Sequence, residues 1–224
     1  MITASHTSQD FEQELTALGE RLVAMGTRTE NQIALAIRAV VDRSDPSADR
    51  VIAGDAVINE DERQIDEQAL QTLARRQPVA GDLRFITMCL KAVTDLERIG
   101  DLAVNIAQRA KEVNRLTPPR WHFAIEPLEA SVSRALRIVL ASLVGKDAAG
   151  AEAAVRAAAQ IDVIHSSLFA ALLAHIATDA ASIPYVLPLT SMCRYLGRIG
   201  DHIKSLAEEI IYMVRGEHVR HPDA

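Results

Sequence analysis

Glu97 and Asp101 stand four residues apart in the segment Leu-Glu-Arg-Ile-Gly-Asp at residues 96–101. On a helix that spacing lays two carboxylates on one face, with Asn105 one turn further on. Two like charges side by side repel by a few tenths of a kcal/mol, so the pair asks for a cation or for a basic neighbour such as Arg98. Five of the six letters return 100 residues later, in Leu-Gly-Arg-Ile-Gly-Asp at residues 196–201. Gly100 and Gly200, each beside an Asp, cost about 1 kcal/mol in helix propensity and leave room for a bound ion or another backbone to approach.

The segments around these residues read as helices. Phe11, Leu15, Leu18, Leu22, Met25, Thr29, Ile33, Ile37 and Val40 recur at steps of three and four, a helical period. Thr7 or Ser8 is the expected cap, and Asp45 and Pro46 end this helix near Arg43, with Ser47 capping the next. Val51, Ile58, Ile65 and Leu73 mark the buried stripe of the second helix. Pro78 and Gly81 form the following corner, and Leu83, Ile86, Leu90, Val93, Leu96 and Ile99 predict a third helix running to about Arg115. Pro118 and Pro119 make the best boundary in the chain. The second half repeats the plan, with helices over about 121–144, to about Ala177, and to about Arg215, where Gly216 is the expected C′ residue.

The expected fold class is therefore all-α: two tandem up-down-up three-helix bundles of six helices in all, over residues 9–117 and 121–217. His6 and residues 218–224 are expected to be loose. If the second helix turns back at Gln77 and Pro78, Asp55 and Asn59 lie opposite Asp101. Glu97, Asp101, Asp55 and Asn59 would then form an oxygen-rich cluster suited to hard or borderline ions such as Mg²⁺, Mn²⁺ or iron. The same reasoning puts Asp162 and His165 near Asp201. Gly197 replaces Glu97 there, and Ser205 replaces Asn105, so the second cluster has lost an acidic ligand.

Composition narrows the function. Of 224 residues, 49% are apolar and only 4% aromatic, which suits helices packed through small and aliphatic side chains. A net charge of −6 provides no excess of Lys and Arg to release counterions from a polyphosphate backbone, so no nucleic-acid partner is expected. No clean apolar run approaches the ~18 residues of a membrane span, and no basic segment followed by an apolar one opens the chain. A cytoplasmic protein, touching a membrane only through a transporter or kinase, is expected. Cys89 and Cys193 stand alone in apolar segments and read as buried thiols.

Arg76 to Arg84 (RQPVAGDLR), Asp95 to Ala107 (DLERIGDLAVNIA), Arg194 to His202 (RYLGRIGDH) and Tyr212 to His221 (YMVRGEHVRH) together resemble the PhoU family of phosphate-uptake regulators, in the family's order and over nearly the whole chain. The resemblance implies two repeated three-helix bundles and a homodimer. It implies a negative regulator of phosphate-starvation signalling that partners the ATPase subunit of the phosphate ABC importer and a phosphate-sensing histidine kinase. It also implies divalent or multinuclear metal (Fe, Zn, Mg or Mn) on paired acidic motifs: Glu97 with Asp101 in the first, Asp201 without its acidic partner in the second. The expectation is a protein without catalysis. Two alternatives stand beside it: a di-metal carboxylate enzyme, although the chain contains no Glu-x-x-His pair of the usual kind, and a purely structural, oligomerising bundle.

Overall fold

In a computed structural model, residues 3–117 and 123–217 are described, without the side chains of residues 3–8. They form six long helices: α1 (Thr3–Val41), α2 (Asp45–Arg76), α3 (Ala80–Asn114), α4 (Glu126–Gly145), α5 (Ala148–Thr178) and α6 (Ile183–Arg215), with a 3₁₀ turn at Ala180–Ser182. Each end has a local cause. Arg43 adopts the left-handed region, φ 51°, and closes α1. Ser44, not Ser47, caps α2: its hydroxyl accepts from the Ser47 N–H, and Pro46 sits in the first turn, where its missing N–H costs nothing. Gln77 ends α2 at φ 47°, and Gly81 lies already inside α3. Asp147 caps α5 by accepting from the Ala149 N–H, and Gly216 ends α6 at φ 75°. The fourth helix begins at Glu126; Pro118, Pro119, Trp121 and residues 218–224 lie outside the described residues, as do the side chains of Thr7 and Ser8, and the backbone of His6, expected to be loose, is helical within α1.

α1, α2 and α3 pack as one up-down-up bundle and α4, α5 and α6 as another, as expected for an all-α fold of two such bundles. The bundles join through antiparallel contacts. On α3 and α6 the Arg84 guanidinium donates to the Met213 carbonyl, Lys91 pairs with Glu209 at 2.9 Å, and Asp95 meets His202 at 2.8 Å. On α1 and α4, Glu30 pairs with Arg137, and Leu140 fills the space left by Gly26. Buried side chains from both halves make one continuous hydrophobic cluster. α2 buries only Ala48, Val51, Ile58, Ile65, Ala69 and Thr72, so it lies on the outside of the first bundle, and α5 lies correspondingly on the outside of the second.

The expected stripes largely hold. Leu15, Leu18, Leu22, Met25, Thr29, Ile33 and Ile37 are buried, while Leu83, expected inside, is 42% exposed. Cys89 and Cys193 are buried, and desolvation pushes both thiols up to about 12. α5 contains no clean apolar run of membrane-spanning length, yet an eighteen-residue window of it reaches a mean hydropathy of 1.5, long and apolar enough to cross a bilayer by length and composition alone. Its alanines raise hydropathy without making a continuous run of large apolar residues, and the helix packs against α4 and α6 in the bundle.

The α1–α2 corner is tied to the far end of α3. The Arg43 guanidinium donates to the carbonyls of Asn114, at 2.7 Å, and Leu116, satisfying groups that a helix C-terminus leaves unpaired. Arg43→Ala is expected to cost about 1–3 kcal/mol, read as a lower denaturation midpoint in urea with an unchanged slope.

Candidate functional site

The site begins with a contact between apolar groups. Gly100 of α3 has no side chain, and a Cβ placed there would lie 3.1 Å from Cδ1 of Ile58. Ile58 therefore seats α2 closely against α3, and the residues flanking it on α2, Asp55 and Asn59, come beside Glu97 and Asp101. The glycine admits an isoleucine side chain, where the sequence suggested an ion or a backbone. Gly200 and Ile161 repeat the arrangement between α6 and α5, also at 3.1 Å.

Around the first contact the acids gather along the α2–α3 seam. Asn59 donates to Asp55 at 3.1 Å. Arg98 lies across the α3 pair, 3.5 Å from Glu97 and 3.3 Å from Asp101. Burial raises the Asp55 carboxyl above its usual range and Asp101 raises it further, against the Asn59 hydrogen bond. Glu97 is also raised, first by burial and then by Asp101, with Glu62 and Asp55 adding to the effect and Arg98 opposing it. Glu62 is raised by burial, then by Asp66, and Asp66 by burial alone.

Glu62 and Asp66 thus extend the seam beyond the residues expected from sequence. Their signal was present: Asp55, Asn59, Glu62 and Asp66 follow steps of four, three and four, one flank of the Val51–Ile58–Ile65 stripe. Other acids of α2 face basic partners, as Asp61 does with Arg28 and Glu60 with Arg63. Among the described residues no Lys or Arg forms an ion pair with Asp55, Glu62 or Asp66, and Asp55 Oδ1 is buried without a hydrogen-bond partner. Asn105 is half-buried one turn beyond Asp101. Among the described residues, no three His, Cys, Asp or Glu side chains are arranged to hold a metal ion.

The second seam is different. With the Ile161–Gly200 contact matched to Ile58–Gly100, the α5 counterparts of Asp55, Asn59, Glu62 and Asp66 are Ala158, Asp162, His165 and Phe169. The His165 ring fills the space beside Gly197, its Cδ2 3.2 Å from where a Cβ would stand, and stacks on Phe169 with centroids 5.9 Å apart. His165 Nε2 is buried and unpartnered. Asp162 and Asp201 are exposed, and among the described residues no hydrogen bond or ion pair joins them to each other or to His165. The side chains expected to form a second polar cluster are not brought together, because an aromatic pair fills the place of the acids.

A family profile described as the PhoU domain matches residues 22–110 and 125–210. A phosphate-specific transport system accessory protein PhoU homolog of Pseudomonas aeruginosa is 36% identical over 217 residues, 96% of this chain and 90% of the relative. A homolog of the same description from Pseudomonas putida is 37% identical over 217 residues, 96% of this chain and 85% of the relative. The crystal structure of PhoU from Pseudomonas aeruginosa superposes with a TM-score of 0.88 at 35% identity, covering 92% of this chain and all of that one.

A carboxyl whose folded pKa is raised contributes stability that is complete below its unfolded pKa and is lost as pH rises through the folded value. For Asp55, Glu62, Asp66 and Glu97 the loss runs upward in pH from the ordinary carboxylate value toward the raised folded one. In chelator, Asp55→Asn is expected to raise the melting temperature at neutral pH by about 1–2 °C. The gain should vanish near pH 4, which paired thermal melts across that range will check.

Proposed function

This chain belongs to the PhoU family, and on that premise we propose that it is a cytoplasmic, non-catalytic regulator of phosphate uptake. The observation that carries the reading is the match across 96% of the chain to proteins named as accessories of the phosphate-specific transport system. In this reading the protein is a negative regulator of phosphate-starvation signalling. It joins the importer's ATPase subunit to the sensor histidine kinase, and it works as a homodimer.

The α2–α3 seam is the proposed control point. Its donors are all oxygen, a set that fits Mg²⁺, Mn²⁺ or iron better than thiophilic ions, and Asp55 Oδ1 is a buried acceptor with no protein donor. Asp55, Glu97 and Asp101 do not stand in a ligating arrangement as they are, so an ion held here would have to draw these three carboxylates together, with Asn59 and Asn105 beside them. When bound, the cation supplies the positive charge that cancels repulsion among these acids. Asp55 and Asn59 lie one turn or less from Ile58, so drawing them toward Glu97 and Asp101 presses α2 onto α3 where Gly100 already admits it. The charged outer face of α2, with Glu60, Arg63 and Glu67 paired on it, moves with that helix and is the surface a partner reads. The second seam, with His165 and Phe169 in the place of acids, holds no ion in this reading.

The test is a phosphate-starvation reporter in phosphate-replete cells of the native host lacking the gene. Deletion is expected to switch the reporter on, and wild-type or Asp201→Ala protein to silence it. Asp101→Ala, expressed at the same level, should leave it substantially on. A reporter silent in the deletion strain contradicts the regulatory role; silencing by Asp101→Ala contradicts the role of the seam.

A further inference from the structure

α1 and α4 run antiparallel, through Glu30 with Arg137 and Gly26 with Leu140. α4 stops at Gly145, however, while α1 continues toward Thr3. Past the end of α4 lies an open groove of about 460 Å³, walled by α1 and the end of α4 and floored in part by Phe85 of α3. Its α1 wall carries Glu12, Leu15, Thr16, Gly19, Glu20 and Val23, the three-and-four spacing with which one helix meets another. Phe85 and Leu143 complete an apolar floor with Leu15 and Val23.

Further along α1, around Gly26 and Glu30, α4 covers the helix, and here the covering helix ends. The rim defines what would replace it. Glu12 and Glu20 are exposed, stand two turns apart on one face, about 12 Å at 1.5 Å per residue, and take part in no ion pair among the described residues. Lys146 closes the α4 end, its ammonium 5.3 Å from the centre of the Phe85 ring. The complementary surface is thus apolar in the middle, with positive charges on the side facing α1.

We propose that this groove is a docking site for an amphipathic helix of a partner protein, one that presents apolar residues to Leu15, Val23, Phe85 and Leu143 and basic residues to Glu12 and Glu20. The helix takes the place left vacant where α4 ends, and its recognition follows helix-in-groove rules, with apolar anchors for affinity and the rim charges for selectivity. The inference needs no metal and does not depend on the phosphate reading.

The experiment uses the full chain and two synthetic peptides, an amphipathic helix of leucine and lysine and the same helix with every lysine replaced by glutamate. Binding is followed by amide shifts in two-dimensional NMR. The lysine peptide is expected to shift Leu15, Gly19, Val23 and Leu143. Glu12→Lys with Glu20→Lys should weaken it about tenfold and transfer preference to the glutamate peptide. Ala24→Trp, at an exposed position on the groove wall, should block both. Lysine-peptide shifts confined to the acidic α2–α3 seam, or an affinity indifferent to the charge reversal, would overturn the proposal. So would shifts of the same groove amides on deleting residues 218–224, which would make the chain's own terminus the occupant.

Discussion

The site depends on one absence: glycine at position 100. A side chain there would meet Ile58 and hold α2 away from α3. Without it the isoleucine seats in α3, and the polar residues on either side of Ile58 are carried to the flank of α3 where Glu97 and Asp101 project. The helical cost of glycine, about 1 kcal/mol, is offset by a close apolar contact that fixes the register of two helices. Electrostatics then follows from register. Acids on an outer helix would ordinarily face water, which screens their mutual repulsion; here they are half-buried against a second acidic face, and burial and repulsion raise several of them together.

The two repeats keep this contact and spend it differently. Ile161 on Gly200 reproduces the packing to within the same distance, yet Ala158, His165 and Phe169 stand where Asp55, Glu62 and Asp66 stand. The motif read as a repeated ion-holding device is, at its root, a repeated packing device, on which one half carries oxygen donors and the other an aromatic pair. The halves meet through Asp95 with His202 and Lys91 with Glu209, side chains next to or one to two turns from the motif residues, so a change at the acidic seam lies close to the junction of the bundles.

Much of this was legible in the sequence. Six helices followed from the three-and-four spacing, and the antiparallel count from the α2–α3 corner set Asp55 opposite Asp101, whose charge acts on the Asp55 carboxyl in the structure. Glu62 and Asp66 were missed because the count was centred on one residue, although their spacing along α2 carried the signal. The second seam was misread for a different reason. The repeat offset is 100 between Gly100 and Gly200 but 103 between Ile58 and Ile161, since the helical arms that lead from the contact to the corner and back are shorter in α5 and α6 than in α2 and α3. Asp162 is therefore the counterpart of Asn59, and Ala158 stands where Asp55 does. Contacts between bundles, such as Asp95 with His202, have no periodic signature, and the α1 groove depends on where α4 ends, which only the folded chain displays.

The account is most directly tested by calorimetric titration of Mn²⁺ into chelator-treated protein, comparing wild type with Asp55→Asn, Glu97→Gln and Asp201→Asn. It predicts binding by the wild type and by Asp201→Asn with equal affinity, and a loss of about tenfold or more in each of the other two. No heat of binding in the wild type, or a loss produced by Asp201→Asn and spared by Glu97→Gln, would contradict a single functional seam built on the Ile58–Gly100 contact.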